Sequence, residues 1–376
     1  MTVHYQWFLP TEGEDRRRPP QDPTAAPQHW IDVARAAEYA GFHALQVPSG
    51  IHRPDAWLVA ATLARATRHL SFVVALRPGF VLPPAAAQWA QTFDELSRQR
   101  VAFSLLVGGD SAEHRTYGDL VNHDDRFARA AEFIHLVKQS WKGRSGALGF
   151  HHRGAHYRVE NAGLLQPLRT PPRLHVGGHG PSVESIAAAH ADVFVSWGEP
   201  LEAMHVRIAR VRALAAAHGR TLRIACRLHV FADETGARAW RDADAALRAA
   251  WHGPGAAPEA REFGDGEAGP LWRGVGVLRG RTLRGQPRWE DGAGLVGSYR
   301  DVAEHLGRLQ AAGVQSFVLS GERGLEDALR FGEELLPLVR GATPRTASMP
   351  VPVPAAVPVP GASAAPAPPD MEASAP

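Results

Sequence analysis

Short apolar runs alternate with stretches of helical periodicity along most of the chain. HYQWFLP (4–10), HALQVP (43–48), LSFVVALRP (70–78), RVAFSLLVGG (100–109), RLHVGG (173–178), DVFVSWGEP (192–200), LRIACRLHVFA (222–232) and VQSFVLSG (314–321) read as strands. Helical patterns follow them near 28–40, 54–67, 84–97, 124–141, 182–190, 201–217, 236–250 and 325–339. Eight strand–helix units predict parallel strands joined by right-handed crossovers, closed into a (β/α)8 barrel of the TIM type. A doubly wound open sheet is the alternative. It fits less well because no G-x-G-x-x-G follows the first strand.

Two spacings interrupt the rhythm. Within residues 142–172, FHHRGAHYRVENAG predicts a small hairpin. Residues 251–294 hold eleven glycines and six arginines and read either as a lid or as an unstructured insertion. The barrel domain is expected over residues 1–342. Residues 343–376, with ten prolines and no periodic apolar face, predict a disordered or polyproline-like tail.

Composition narrows the function classes. Lys+Arg number 41 against 39 Asp+Glu, and no long basic run stands out, which argues against a nucleic-acid partner. No apolar run reaches membrane-spanning length, and the first residues lack the charged-then-apolar pattern of a signal peptide. A single cysteine, Cys226, has no intrachain disulfide partner, so a cytoplasmic setting is expected.

In a barrel of this type, chemistry sits at the C-terminal ends of the strands. Those ends carry Thr11 and Glu12, then Ser49, His52 and Arg53, then Arg77. The later ones carry Gly108, Gly109 and Asp110; Gly177, Gly178 and His179; Trp197 and Glu199; Arg227 and His229; and Ser320 and Glu322. This cation-rich set suits a flat or anionic ligand and shows no nucleophile elbow, P-loop or zinc-binding HExxH. In RLHV (227–230), strand alternation puts Arg227 and His229 on one face and the apolar neighbours on the other. Two readings stand: the pair faces a wet mouth, or Arg227 bridges to Glu199 or Glu322 while His229 is a satisfied core residue. VGGHGPSVES (176–185) ends a strand in glycines and opens a helix at Pro181 and Ser182, which reads as plain capping or as a phosphate cradle.

The segments WFLPT (7–11), DAWLVAA (55–61), FVVALRP (72–78), WGEP (197–200), AAAHGR (215–220), RLHV (227–230), GVGVLRG (274–280) and FVLSG (317–321) run in order along the chain. Together they resemble the FMNH2-dependent alkanesulfonate monooxygenases of the bacterial luciferase-like group. The resemblance implies a two-component system in which a separate NAD(P)H-dependent FMN reductase supplies reduced FMN. The barrel then uses O2 to cleave the C–S bond of an alkanesulfonate into aldehyde and sulfite, and works as a homo-oligomer, dimer or tetramer. By the matching motifs, Arg227, His229 and Arg279 are the implied catalytic residues and Trp197 belongs to the implied site. Gly178, His179 and Ser182 are the candidate residues for the cofactor phosphate.

Five mouth positions depart from the family pattern. Glu322 stands where tyrosine is usual, Glu12 for histidine, Arg53 for cysteine and Val107 for threonine, and His179-Gly180-Pro181 replaces a serine-rich stretch. Either the acidic residues pair with Arg53 or Arg227 in a pocket retuned for another small substrate, or the chain is a catalytically silent flavin- or anion-binding relative.

Overall fold

The computed structural model describes residues 3–11, 26–51, 53–109, 111–144, 148–251, 277–281, 287–290 and 294–341. The barrel strands, labelled in chain order, are β1 (His4–Phe8), β2 (Ala44–Val47), β3 (Ser71–Leu76) and β4 (Val101–Leu105). They continue as β5 (Arg173–Gly177), β6 (Val193–Trp197), β7 (Arg223–Asp233) and β8 (Ser316–Ser320). Each pairs in parallel with the next, and β8 pairs with both β7 and β1, so the sheet closes into the expected (β/α)8 barrel.

The strands end earlier than their apolar runs. β1 stops before Pro10, β3 before Pro78 and β4 before Gly108 and Gly109. Proline has no N–H for the ladder and glycine weakens a strand, so these residues turn out of the sheet into the loops at the mouth.

Apolar residues on the outer faces of the strands meet the helices. Trp7, fully buried, packs against Phe42 at 5.3 Å and edge-on to Phe331 at 5.6 Å. Ile224, Cys226, Leu228 and Val230 join this outer core, whereas Val193, Val195 and Ala225 form a separate small cluster. Arg227 and His229 have the same parity as Ala225, so they point to the opposite face from Cys226. Burial pushes the Cys226 thiol pKa up, which makes it an inert packing group.

The predicted hairpin is present as Phe150–Arg153 paired antiparallel with Arg158–Ala162. The insertion contributes a second antiparallel pair, Val277–Arg281 with Pro287–Glu290, and Arg279 lies on its first strand. Most of the insertion and the expected tail lie outside the described residues, as do Glu12, His52 and Asp110. Besides that pair, three elements are additional to the sequence reading. They are a short helix at Ser111–Thr116, a strand at Gly294–Ser298 that pairs in parallel with the upper part of β7, and a helix at Tyr299–Ala311. That last helix opens on a capping box. Ser298 accepts from the Asp301 N–H, and Asp301 accepts from the Ser298 N–H. Among the described residues, no helix is long and apolar enough to cross a membrane.

Candidate active site

Arg227 lies within the barrel mouth. Its guanidinium carbon sits 3.9 Å from the centre of the Phe8 ring on β1 and 4.7 Å from that of Trp197 at the end of β6. Trp197 is its in-register neighbour on β6, whereas Phe8 lies two strands away. Stacking on aromatic faces suits the planar, permanently charged guanidinium and fixes its direction. Arg53 approaches the same Phe8 ring at 5.9 Å and donates from Nη1 to Thr11 Oγ1 at 3.2 Å.

His229, two residues beyond Arg227, sits opposite Ser320 in the β7–β8 register. Its Nδ1 is 3.0 Å from Ser320 Oγ, and its Nε2 is 3.7 Å from Glu322 Oε2. Phe231 meets the imidazole edge-on at 4.8 Å. Thus Glu322, Arg227 and His229 gather on one side of the mouth and Arg53 reaches it from another. Phe8 and Trp197 flank Arg227, and Glu322 lies beside His229, so both sequence readings keep residues at this mouth.

Glu199, the other carboxylate weighed as a partner for Arg227, is held elsewhere. Arg207 reaches back from the helix Leu201–Ala217 and grips it in a fork, Nε–Oε2 at 2.9 Å and Nη2–Oε1 at 2.5 Å. Burial alone would raise the Glu199 carboxyl pKa, but hydrogen bonds from His179 and Arg207 outweigh it and hold it low. Arg207 also bonds Glu184 at 2.8 Å, so this network ties the helix Pro181–His190 to the loop after β6. His179 is placed by it, with Nδ1 3.5 Å from Glu199 Oε1 and its ring 6.4 Å from Trp197.

The loop between β5 and the helix Pro181–His190 needs its glycines. A Cβ on Gly177 would lie 2.9 Å from Val195 Cβ, so only glycine lets β5 and β6 approach there. Gly178 has φ +140° and Gly180 φ +100°, conformations that other residues rarely adopt. Gly180 is the N-cap, without a side-chain cap, Pro181 is the first helical residue and Ser182 the exposed second. The cap is therefore glycine and not Pro181 or Ser182. No atom lies within 4 Å of where a Gly180 Cβ would be, so the helix start is open there; Pro181 brings no N–H and that of Glu184 bonds the Gly180 carbonyl, which leaves Ser182 and Val183 as the first-turn donors.

A buried polar network braces the opposite rim, and sequence reasoning missed it. Asp119 receives Arg129 through both nitrogens, at 2.8 and 2.6 Å, and His114 Nδ1 at 2.8 Å. His114 Nε2 is 3.2 Å from the Gly108 carbonyl, and Arg129 also donates to the Pro78 carbonyl at 3.3 Å. Hydrogen bonds from Arg129, then from His114 and the Val121 N–H, hold the Asp119 carboxyl well below the usual range despite burial. Nearby, Arg77 is paired with Glu113 at 2.9 Å, which also accepts the Ile51 N–H. Val107, one of the five departures, packs into the main apolar core.

The class is thus a closed (β/α)8 barrel with a cationic, aromatic-lined mouth and a glycine-built helix start beside it. The chain belongs to the luciferase-like monooxygenase family, with the family match spanning residues 3–316. Solved structures share the fold. A riboflavin lyase (RcaE), solved with modified FMN and riboflavin, is 19% identical with TM-score 0.72, covering 92% of this chain and 93% of that one. A long-chain alkane monooxygenase (LadA) is 17% identical with TM-score 0.73, covering 93% and 94%. The EDTA monooxygenase (EmoA) of Chelativorans sp. BNC1 is 18% identical with TM-score 0.72, covering 91% and 94%.

Proposed function

We propose that this protein is a reduced-FMN-dependent monooxygenase that cleaves the C–S bond of alkanesulfonates to aldehyde and sulfite. The observation that carries the reading is the Arg227 guanidinium held between Phe8 and Trp197 at the mouth. A sulfonate stays ionised at physiological pH, and a forked, permanently charged group matches it. One oxygen atom of O2 ends in the aldehyde and the other in water, two electrons and two hydrogens come from FMNH2, and bisulfite leaves. The reduced cofactor comes from a separate NAD(P)H-dependent FMN reductase.

The residues fit the cofactor. The open start of the helix at Gly180, with Gly178, His179 and Ser182 around it, offers N–H groups to a phosphate. Trp197 offers a flat wall for the ring system. When bound, reduced FMN supplies the electrons that activate O2. Arg227 holds the sulfonate, and His229 moves a proton at the reacting carbon or oxygen. Arg279, whose side chain lies outside the described residues, closes over the anion and excludes water in this reading. The protein works as a homo-oligomer, a dimer or tetramer. Leu58 and Trp89, exposed on two adjoining helices, support this reading as apolar surface for a second copy.

A second reading keeps the flavin chemistry and changes the substrate. Glu322, 3.7 Å from His229, favours it, because a carboxylate beside a sulfonate repels it unless paired. Anaerobic titration with FMNH2 followed by O2 and octanesulfonate separates the two. Stoichiometric sulfite supports the first. Flavin binding with O2 consumption but no sulfite supports the second. Absence of FMNH2 binding overturns both.

A further inference from the structure

Each ring nitrogen of His229 has an oxygen near it, and the two oxygens differ in kind. Glu322 Oε2, 3.7 Å from Nε2, belongs to a carboxylate, which when ionised only accepts. Ser320 Oγ, 3.0 Å from Nδ1, belongs to a hydroxyl, which both donates and accepts and turns about its C–O bond. At 3.7 Å the carboxylate is beyond hydrogen-bond reach, but its charge favours a proton on the near nitrogen, so a neutral imidazole is the Nε2–H form with Ser320 donating to Nδ1. An imidazolium keeps the same contacts, with Ser320 now accepting from Nδ1–H. The two protonation states thus differ by one proton and one hydroxyl rotation, with no heavy atom displaced.

The setting holds this arrangement in place. Ser320 and His229 face each other in the β7–β8 register. The loop carrying Glu322 is pinned by Asp327, which accepts from the Arg323 N–H at 2.8 Å and from its Nε at 3.1 Å. Gly321 is required there, since a Cβ would lie 2.5 Å from Asp327 Oδ2. The His229 and Glu322 side chains are 15% and 26% exposed, so solvent screens their interaction only in part.

We propose that Glu322 is a positioning residue that fixes His229 as its Nε2–H tautomer and favours its cationic form. The proton that His229 exchanges in turnover is then the one on Nδ1, beside Ser320. The role in turnover rests on His229 acting in the reaction proposed above; the tautomer does not. The charged groups near the ring come from several elements. Arg227, two residues along the same face of β7, opposes the cation. Asp242, from the helix Gly236–Trp251, lines a small pocket with Glu322, Arg323 and Asp327, and the last two neutralise each other. The strand Gly294–Ser298 sets Gly294 opposite His229 and carries no charged side chain.

The test is a nitrogen-15 NMR titration of the His229 ring in the flavin-free protein, in wild type, Glu322→Gln and Ser320→Ala. The neutral wild-type ring is expected as the Nε2–H form. In Glu322→Gln the titration midpoint falls by about one pH unit, as expected on losing a carboxylate so close. Ser320→Ala keeps the Nε2–H form and lowers kcat. An Nδ1–H tautomer in wild type, or a midpoint unmoved by Glu322→Gln, overturns the proposal whatever the enzyme turns over. Failure of FMNH2 binding or of sulfite release removes the reaction and leaves the NMR result standing.

Discussion

Replacing Asp119 with alanine tests whether the buried network under the mouth is as costly to break as its geometry says. The change removes the acceptor of two Arg129 bonds, at 2.8 and 2.6 Å, and of the His114 bond at 2.8 Å. The Arg129 and His114 side chains are 9% and 2% exposed, so neither can turn to bulk water. Removing one partner of a buried ion pair costs about 3–5 kcal/mol, because the remaining charge stays buried. That is a large part of the roughly 5–15 kcal/mol that holds a typical domain folded. In urea, with a slope of about 3 kcal/mol/M, the midpoint should fall by about 1–1.7 M at unchanged slope. Because the Asp119 pKa is depressed in the folded state, its stabilisation is full above the ordinary carboxylate range and is lost progressively as pH falls below that range towards the folded pKa. A midpoint shift under about 0.2 M, or an equal loss of wild-type and variant stability on acidification, would refute the reasoning.

Other consequences can be measured alongside. Burial pushes the His175 pKa down from 6.5 to about 4, so the unfolded chain takes up a proton there first and stability falls as pH drops from 6.5 towards 4. His175→Asn should flatten the urea midpoint against pH over that window; an unchanged slope contradicts it. Ser298→Ala removes the N-cap of the Tyr299–Ala311 helix and should cost about 1 kcal/mol in the same assay. Gly180→Ala meets no atom but must adopt φ +100°, so a loss of about 1 kcal/mol is expected from backbone strain alone. Arg227→Lys keeps the charge but loses the planar stack on Phe8 and Trp197; turnover should drop by about tenfold or more with an unchanged melting temperature.

The barrel was legible because parallel strands buried on both faces read as short apolar runs, and helices between them keep their own period. The strand at Gly294–Ser298 and the helix after it were overlooked: residues 295–313, between the glycine-rich insertion and the last strand, were assigned no element. Ser298-x-x-Asp301, with Val302, Leu306 and Leu309 on one face, was the available signal. Alternation alone put Arg227 and His229 on one face of the strand and left two explanations of that face open; the site role came from the resemblance of the RLHV segment. The Asp119 network was not. His114, Asp119 and Arg129 come from separate segments, and only the folded loops bring them to the Gly108 and Pro78 carbonyls. Likewise, the pairing of Glu199 with Arg207 depends on how the helix from Leu201 returns over its own start, which spacing does not reveal.

The central claim is that the mouth around Arg227 binds the reduced flavin and its anionic substrate. Its most direct test is anaerobic equilibrium binding of FMNH2, with and without octanesulfonate, to wild type and Arg227→Ala, with the melting temperature of each recorded. Tight FMNH2 binding by wild type is predicted, together with octanesulfonate binding that Arg227→Ala loses while its melting temperature holds. Equal binding of both ligands by the two proteins would contradict the account.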